Sequence, residues 1–238
     1  MPIITLADLD SLAYMAGYKG TWLDCRAHIQ NVLLNIRLAT RCDELKCYLQ
    51  HWDGIFNFRN HLAVTKPYKG NRKDKEKPEY LTEAKKFIAA NFNTTVCRTY
   101  EADDVVAIVA ANYGYKVTIA CIDKDLHQLP CKFYDYRKEH HSVVSEAKAL
   151  RNLCHQMLMG DGCDNIPGIM GCGKVGAEKA LLGSEDPMMT VIEEYKKRNL
   201  PYSYLLEQGR LLYLLRTRHE VWYPPITELQ YNKLEVTA

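Results

Sequence analysis

Long apolar runs are missing from this sequence: no segment approaches the roughly 20 residues that a membrane-spanning helix needs, so no membrane role is expected. The opening MPIITLADLD has no basic region followed by a long apolar stretch, so no secretory signal is expected either. Charge of one sign is not in excess. The net charge is only +2, which excludes a globally basic binder. Cysteine pairs are missing too. The nine cysteines stand at 25, 42, 47, 97, 121, 131, 154, 163 and 172, and none forms a CxxC, which argues against structural zinc. Their odd number and scatter suit reduced, mostly buried thiols in a cytoplasmic protein. No GxxxxGK[ST] occurs, which excludes a nucleotide P-loop. The eight histidines form no visible dyad with serine or cysteine, and His127 and His155 read as surface or packing residues. Internal repeats and low-complexity stretches are also lacking. What remains is a globular chain of 238 residues, 47% hydrophobic and 25% charged, enough for one large domain or a domain with an appendage.

Carboxylates dominate its pattern. Tyr100–Glu101–Ala102–Asp103–Asp104 precedes VVAIVAAN (105–112), an Ala-rich apolar stretch that reads as a helix. Its three acids fall at the first turn, where the helix dipole favours negative charge. Capping needs one acid, not three. Val117–Ile122 is a β-branched run that reads as a buried strand, and it delivers Asp123 and Asp125 at its C-terminal end. Pro2–Ala7 reads as a strand ending at Asp8, and Leu45–Trp52 as a strand followed by Asp53. Open α/β sheets place ligands at the carboxyl ends of their strands, so three strands ending in Asp point to one shared site. Carboxylates converging in a small volume repel unless cations neutralise them, and hard oxygen donors favour Mg²⁺ or Mn²⁺.

Helices are expected over Trp22–Thr40, with Leu23, Ala27, Val32, Leu33, Leu34, Ile36 and Leu38 as the apolar set, and over Pro78–Asn91, Ser145–Met159, Met188–Lys197 and Tyr202–Thr217. Thr94–Thr99 reads as a further strand and Cys131–Tyr136 as an edge strand. The alternation predicts an α/β protein with a mostly parallel central sheet flanked by helices. Two stretches break the pattern. Between Arg59 and Lys77, Arg59, Lys66, Lys69, Arg72, Lys73, Lys75 and Lys77 face only Asp74 and Glu76, with Phe58 and Tyr68 interleaved and Pro67, Gly70 and Pro78 interrupting helix. A cationic, partly aromatic loop suits a phosphate polymer; a solvated surface loop is the plainer alternative. Later, GDGCDNIPGIMGCGKVGA (160–177) runs into a helix. Gly171, Gly173 and Gly176, beside Lys174, allow backbone amides to approach a phosphate without reading base sequence. Asp161 and Asp164 repel phosphate and make better sense as further metal ligands.

In this order, Asp8, then Asp53 with FR and YKGNR, then EADD, DKDLHQL and GDxxDNIPGxxGxG, the chain resembles the 5′-to-3′ exonuclease and flap endonuclease family over roughly residues 3–182. The later LLYLLRTRHEVWYPP is similar to the phage type. The resemblance implies a PIN-like fold, with a catalytic α/β core over 1–145 that includes a basic arch at about 54–80. It implies a helical region over 146–238 carrying a helix-hairpin-helix at about 160–182, often with bound K⁺. It implies a tighter catalytic metal held by Asp8, Asp53, Glu101, Asp103 and Asp104, and a second held by Asp123, Asp125, Asp161 and Asp164. Lys69 and Arg72 match the arch residues, with Lys69 stabilising the scissile phosphate. Where the family commonly has Arg after Tyr14 this chain has Met15, so Arg59 or Arg72 is expected to supply that contact. Lys174 stands one position before the family's usual lysine, with Val175 in its place.

The activity implied is two-metal hydrolysis of DNA to 5′-phosphate products, as a 5′-to-3′ exonuclease and flap endonuclease with RNA-primer removal as a further task. The implied partners are DNA 5′ ends, 5′ flaps and RNA/DNA hybrid. The expected state is a monomer in the cytoplasm, the host's if the chain is phage-encoded. Phe58 and Tyr68 are the aromatic candidates for stacking on a displaced base. Two other readings are a PIN-type ribonuclease and a DNA-binding scaffold without chemistry. The glycine-rich hairpin argues against the first and the complete acid set against the second.

Overall fold

A computed structural model describes residues 2–72 and 76–236. Lys73, Asp74 and Lys75 of the basic run lie outside the described residues. In chain order the first elements are β1 (Ile4–Asp8), α1 (Asp10–Gly17), α2 (Trp22–Thr40), β2 (Glu44–Gln50) and the single turn α3 (Arg59–Leu62). They continue with α4 (Leu81–Asn91), β3 (Thr94–Cys97), α5 (Ala102–Asn112), β4 (Thr118–Ala120), β5 (Lys132–Asp135) and β6 (His140–Val143). Helices α6 (Glu146–Met159), α7 (Lys174–Leu181), α8 (Pro187–Lys197), α9 (Tyr202–Leu212) and α10 (Glu228–Lys233) follow. Short 3-10 turns lie at Gly70–Arg72 and Asp125–Gln128. Among the described residues no helix is long and apolar enough to cross a membrane.

The chain forms two compact units. The first comprises 1–57, 76–145 and 214–218; the second comprises 58–75, 146–213 and 219–238. One break between the units falls between Ser145 and Glu146. Residues 58–75 of the expected arch belong to the second unit, and 214–218 return to the first. The reason is hydrogen bonding rather than chain order: Arg59 binds carbonyls of α9 and its C-cap, while Leu215 binds Asp104.

The first unit is built on one six-stranded sheet in the order β3-β2-β1-β4-β5-β6. All pairings are parallel except β5 with β6. Strand β1 (ITLAD) is buried throughout, as expected of a strand with neighbours on both edges and layers on both faces. Strand order reverses between β1 and β4. The carboxyl ends of these strands therefore flank the topological switch point, where open α/β sheets bind ligands. Helix α2 has the expected bounds. Thr21 caps it by accepting from Asp24 N at 3.1 Å, and it ends at Arg41 in the left-handed region. Its buried face is Cys25, Ile29, Leu33 and Ile36, whereas Leu23, Leu34 and Leu38 of the expected set are exposed. The i, i+4, i+8, i+11 spacing of these four puts them on one face. The sheet edge is β6, not β5: HHSV has no apolar alternation to mark it.

The second unit is helical. Its core gathers Leu153, Met157, Ile192, Tyr195, Leu205 and Tyr231. Each buried phenol has an acceptor: Tyr195 donates to Met157 O at 2.6 Å and Tyr231 to Leu200 O at 2.5 Å. Gly209 on α9 lies against Trp222, where an added Cβ would stand 2.0 Å from the indole. Helix α9 stops at Leu212, five residues short of expectation. The tail holds α10, closed by a Thr227/Gln230 capping box.

Candidate metal centre and nucleic-acid interface

The first unit brings its acids to the carboxyl edge of the sheet. Asp8 ends β1 and is buried. One of its oxygens accepts from Asp10 N at 3.3 Å, and Tyr136 donates to its backbone carbonyl at 3.2 Å. Burial first, then the negative charges of Asp10 and Asp123, push the Asp8 carboxyl up to about 8. The Asp10 amide and Lys85 oppose the shift. Glu101 is the N-cap residue of α5, and Asp103 and Asp104 stand in its first turn. Carboxylate oxygens of these three lie within 4.8 Å of one another. Glu101 makes no capping hydrogen bond, so capping does not account for the acids. Asp104 is fully buried; it accepts from Leu215 N at 3.1 Å, and its own N–H donates to Asp103 at 2.7 Å.

Asp123 lies half-buried beyond β4 and accepts from Asp125 N at 2.9 Å, which fixes the 3-10 turn that carries Asp125. The field of these acids is felt by their neighbours. The Cys97 thiol is pushed up to about 12 by burial, then by Asp10, Asp8 and Asp103. The Tyr136 phenol is raised well above its usual range by burial, then by Asp8, Cys121, Asp10 and Asp123. Asp8, Asp10, Asp103 and Asp123 therefore share one electrostatic neighbourhood.

Asp10 is engaged: Lys85 pairs with it and also donates to Gln50 O at 3.0 Å, while Gln50 N donates to Asp10 at 2.9 Å. Nothing in the local sequence announces Lys85, which is 75 residues from its partner. Asp53 sits on a turn past β2, with its N–H donating to His51 Nδ1 at 3.2 Å and its side chain 80% exposed. Of the expected ligands in this unit it is the one left in solvent. The buried, all-oxygen donor set with a raised carboxyl fits a hard divalent cation, which would relieve the repulsion that protonation otherwise relieves.

In the second unit the basic segment folds onto the loop 161–165. Tyr68 donates to Asp164 Oδ2 at 2.8 Å, Lys69 Nζ lies 3.6 Å from the same oxygen, and Arg72 pairs with Oδ1. Asp161 is buried, and its Oδ1 accepts from Cys163 N at 2.7 Å and Asp164 N at 3.3 Å. Within this unit, then, Asp161 shapes the loop and Asp164 engages cations. The loop closes where Gly160 and Gly168, at φ +75° and +59°, pack backbone on backbone; a Cβ on Gly168 would stand 2.2 Å from Gly160 N. Both glycines are fixed positions of the GDxxDNIPGxxGxG pattern.

Two expected DNA contacts are corrected. Arg59 is 2% exposed, with Nε donating to Leu211 O and a terminal nitrogen to Tyr213 O, both at 2.9 Å, and it covers the Phe58 ring at 4.7 Å. It is a structural cation and does not replace the arginine absent at Met15. Tyr68 is 8% exposed within the core, so its ring is not open to a base. Lys66 is exposed, as are Gly171, Gly173, Lys174 and Gly176 around the start of α7. Lys174 lies 3.9 Å from Glu178. An anchor that sequence reading missed is Glu207, whose carboxylate accepts from Val64 N and Thr65 N, both at 2.7 Å.

The fold and its acid-lined switch point define a class: PIN-like α/β proteins with an acidic centre. The family model described as 5′-3′ exonuclease, N-terminal resolvase-like domain, matches residues 13–153, more than half of the chain. The chain belongs to this 5′-3′ exonuclease family. It is 31% identical over 174 residues to DNA polymerase I of Bacillus subtilis, covering 62% of this chain and 19% of that protein. It is also 31% identical over 128 residues to a 5′-3′ exonuclease of Aquifex aeolicus, covering 45% of this chain and 44% of that protein. The chain thus spans less than half the length of these curated relatives. Among solved structures, the T5 D15 protein co-crystallized with metal ions superposes with a TM-score of 0.68 at 17% identity, covering 88% of each chain. The catalytic core of Rad2 in complex with DNA gives 0.54 at 12%, covering 92% of this chain and 80% of that one. Both show the shared fold.

Proposed function

We propose that this chain is a divalent-metal-dependent 5′ nuclease that hydrolyses phosphodiester bonds in DNA at 5′ ends and 5′ flaps. The observation that carries the reading is the gathering of Asp8, Glu101, Asp103, Asp104 and Asp123 at the switch point of a family sheet, with the Asp8 carboxyl raised by burial and then by its acidic neighbours. Relatives named 5′-3′ exonuclease, and a structural neighbour crystallised with metal ions, support it.

Asp8, Glu101, Asp103 and Asp104, with Asp53 from its exposed turn, hold one Mg²⁺ or Mn²⁺; Asp123 and Asp125 hold a second. When bound, the ions supply an activated water and stabilise charge on the phosphate and the leaving 3′ oxygen. Tyr136 and Lys85 keep Asp8 and Asp10 in place, and burial of Asp104 keeps bulk water from its carboxylate. Lys69 and Arg72, which match the arch residues of the family pattern, supply cations for DNA phosphates, with the scissile one expected at Lys69. Lys66 and the exposed amides around Gly171, Gly173 and Gly176, with Lys174, bind the phosphate backbone without base readout. K⁺ at this hairpin, removal of RNA from RNA/DNA hybrid, a monomeric state and a cytoplasmic site of action complete the proposal. The expected metal role of Asp161 and Asp164 is tested by Mn²⁺ titration of their Asn variants.

The test is cleavage of 5′-labelled flap, blunt duplex and RNA/DNA hybrid with Mg²⁺, beside EDTA and Asp104→Asn controls. Release of 5′ products by wild type alone supports the reading, and the ranking of substrates assigns the task. Tight flap binding without cleavage would make the chain a scaffold. Cleavage of RNA alone would make it a ribonuclease.

A further inference from the structure

We propose that Asp164 is a positioning residue: its carboxylate holds Lys69 and Arg72 in the orientation in which they meet DNA phosphates. The inference rests on the DNA-contact role of these two cations given above and adds what fixes them.

The segment Pro67–Arg72 lies on the loop 161–165 through main-chain and carboxylate contacts together. Lys69 N donates to Asp164 O at 2.9 Å, Asn71 Nδ2 to Gly162 O at 2.7 Å, and Arg72 Nε to Cys163 O at 2.9 Å. In return Asn165 Nδ2 donates to Pro67 O at 2.9 Å. These bonds set the register of the two strands of chain. At their centre stands the Asp164 side chain, 14% exposed, with Tyr68 and Lys69 on one oxygen and Arg72 on the other. An isolated surface ion pair contributes little. This one differs, because a single carboxylate engages three side chains of one six-residue stretch, one of which, Tyr68, is anchored in the core. Long cationic side chains lose rotamer freedom when they bind a ligand; cations already held bind with less loss. A carboxylate beside a phosphate-binding pair also repels DNA. Beside the metal role proposed above, its contacts in the metal-free protein orient the cations, and orientation and repulsion predict opposite signs on its removal.

The experiment measures binding of a 5′-flap DNA to the full chain by fluorescence anisotropy in EDTA, so that metal ligation does not enter. Wild type, Asp164→Asn, Asp164→Glu, Arg72→Gln and the Asp164→Asn/Arg72→Gln double variant are compared. Asn keeps an acceptor for Tyr68 and removes only the charge. The expected result is about tenfold weaker binding for Asp164→Asn, with the slope of log affinity against log salt smaller by about 1 to 2. Trypsin should also cut faster after Lys69 and Arg72. Asp164→Glu should recover part of the affinity, and the double variant should lose less than the sum of the two single losses, as coupled sites do, while Lys69 still feels the loss of Asp164. A purely structural defect would lower thermal stability and leave the salt slope of the folded fraction unchanged, which would overturn the inference. Equal or tighter binding by Asp164→Asn would overturn it too. Failure of wild type to bind flap DNA at all would overturn the DNA-contact reading, and the inference with it.

Discussion

The two units use the same residue type in opposite ways. At the sheet edge of the first, carboxylates face one another, and the Asp8 carboxyl rises to about 8 because burial and like charges leave it undercompensated. In the loop 161–165 of the second, Asp164 is surrounded by Tyr68, Lys69 and Arg72, and Asp161 by amides. A cluster of carboxylates at a buried switch point, one of them raised by burial and by like charges, suits a cation from outside. An acid whose charge is already matched holds a segment of chain. Counting acids in the sequence treats these alike; the partners separate them.

The sharpest way to break this comparison is to remove one carboxylate from the cluster of the first unit. Asp104→Asn should lower cleavage of a 5′ flap by about a hundredfold or more while Tm in EDTA holds or rises, since repulsion is relieved. Gly168→Ala should act through the second unit's backbone. With φ +59° and Gly160 N at 2.2 Å, it should cost on the order of 3 kcal/mol in urea unfolding. A smaller effect comes from pH. The folded state retains on Asp8 a proton that the unfolded chain releases near its ordinary value of 3.8. The native state then binds more protons than the unfolded one up to about 8, so stability of the metal-free protein should fall as pH rises across that window. Tm in EDTA at acid and at mildly alkaline pH checks this, and Asp8→Asn should flatten the slope. The smallest effect is expected of Lys174→Ala, about twofold in DNA affinity, because that lysine is exposed and paired with Glu178.

The sheet was legible because strand-like apolar runs ended in Asp at 8 and 123, and because the three acids 101, 103 and 104 preceded an unmistakable helix. What escaped was set by long-range partners. Arg59 sits in a basic run and reads as a phosphate contact; only the Leu211 and Tyr213 carbonyls, more than 150 residues on, make it a buried strut. Tyr68 looked like a stacking aromatic for the same reason. Strand β6 is polar because one neighbour and solvent suffice for an edge, so no pattern marked it. Helix α1 was not read from the sequence: its eight residues follow directly on the strand that ends at Asp8, and Lys85, the partner of its first residue Asp10, lies 75 residues away.

The central claim is that the clustered carboxylates of the first unit bind a divalent cation. Calorimetric titration of Mn²⁺ into the metal-free protein at mildly acid pH, in two buffers of different ionisation enthalpy, tests it most directly. The account predicts saturable binding with release of about one proton, that of Asp8, and loss of both binding and proton release in Asp104→Asn. Absence of saturable binding, or binding that Asp104→Asn leaves unchanged, would contradict it.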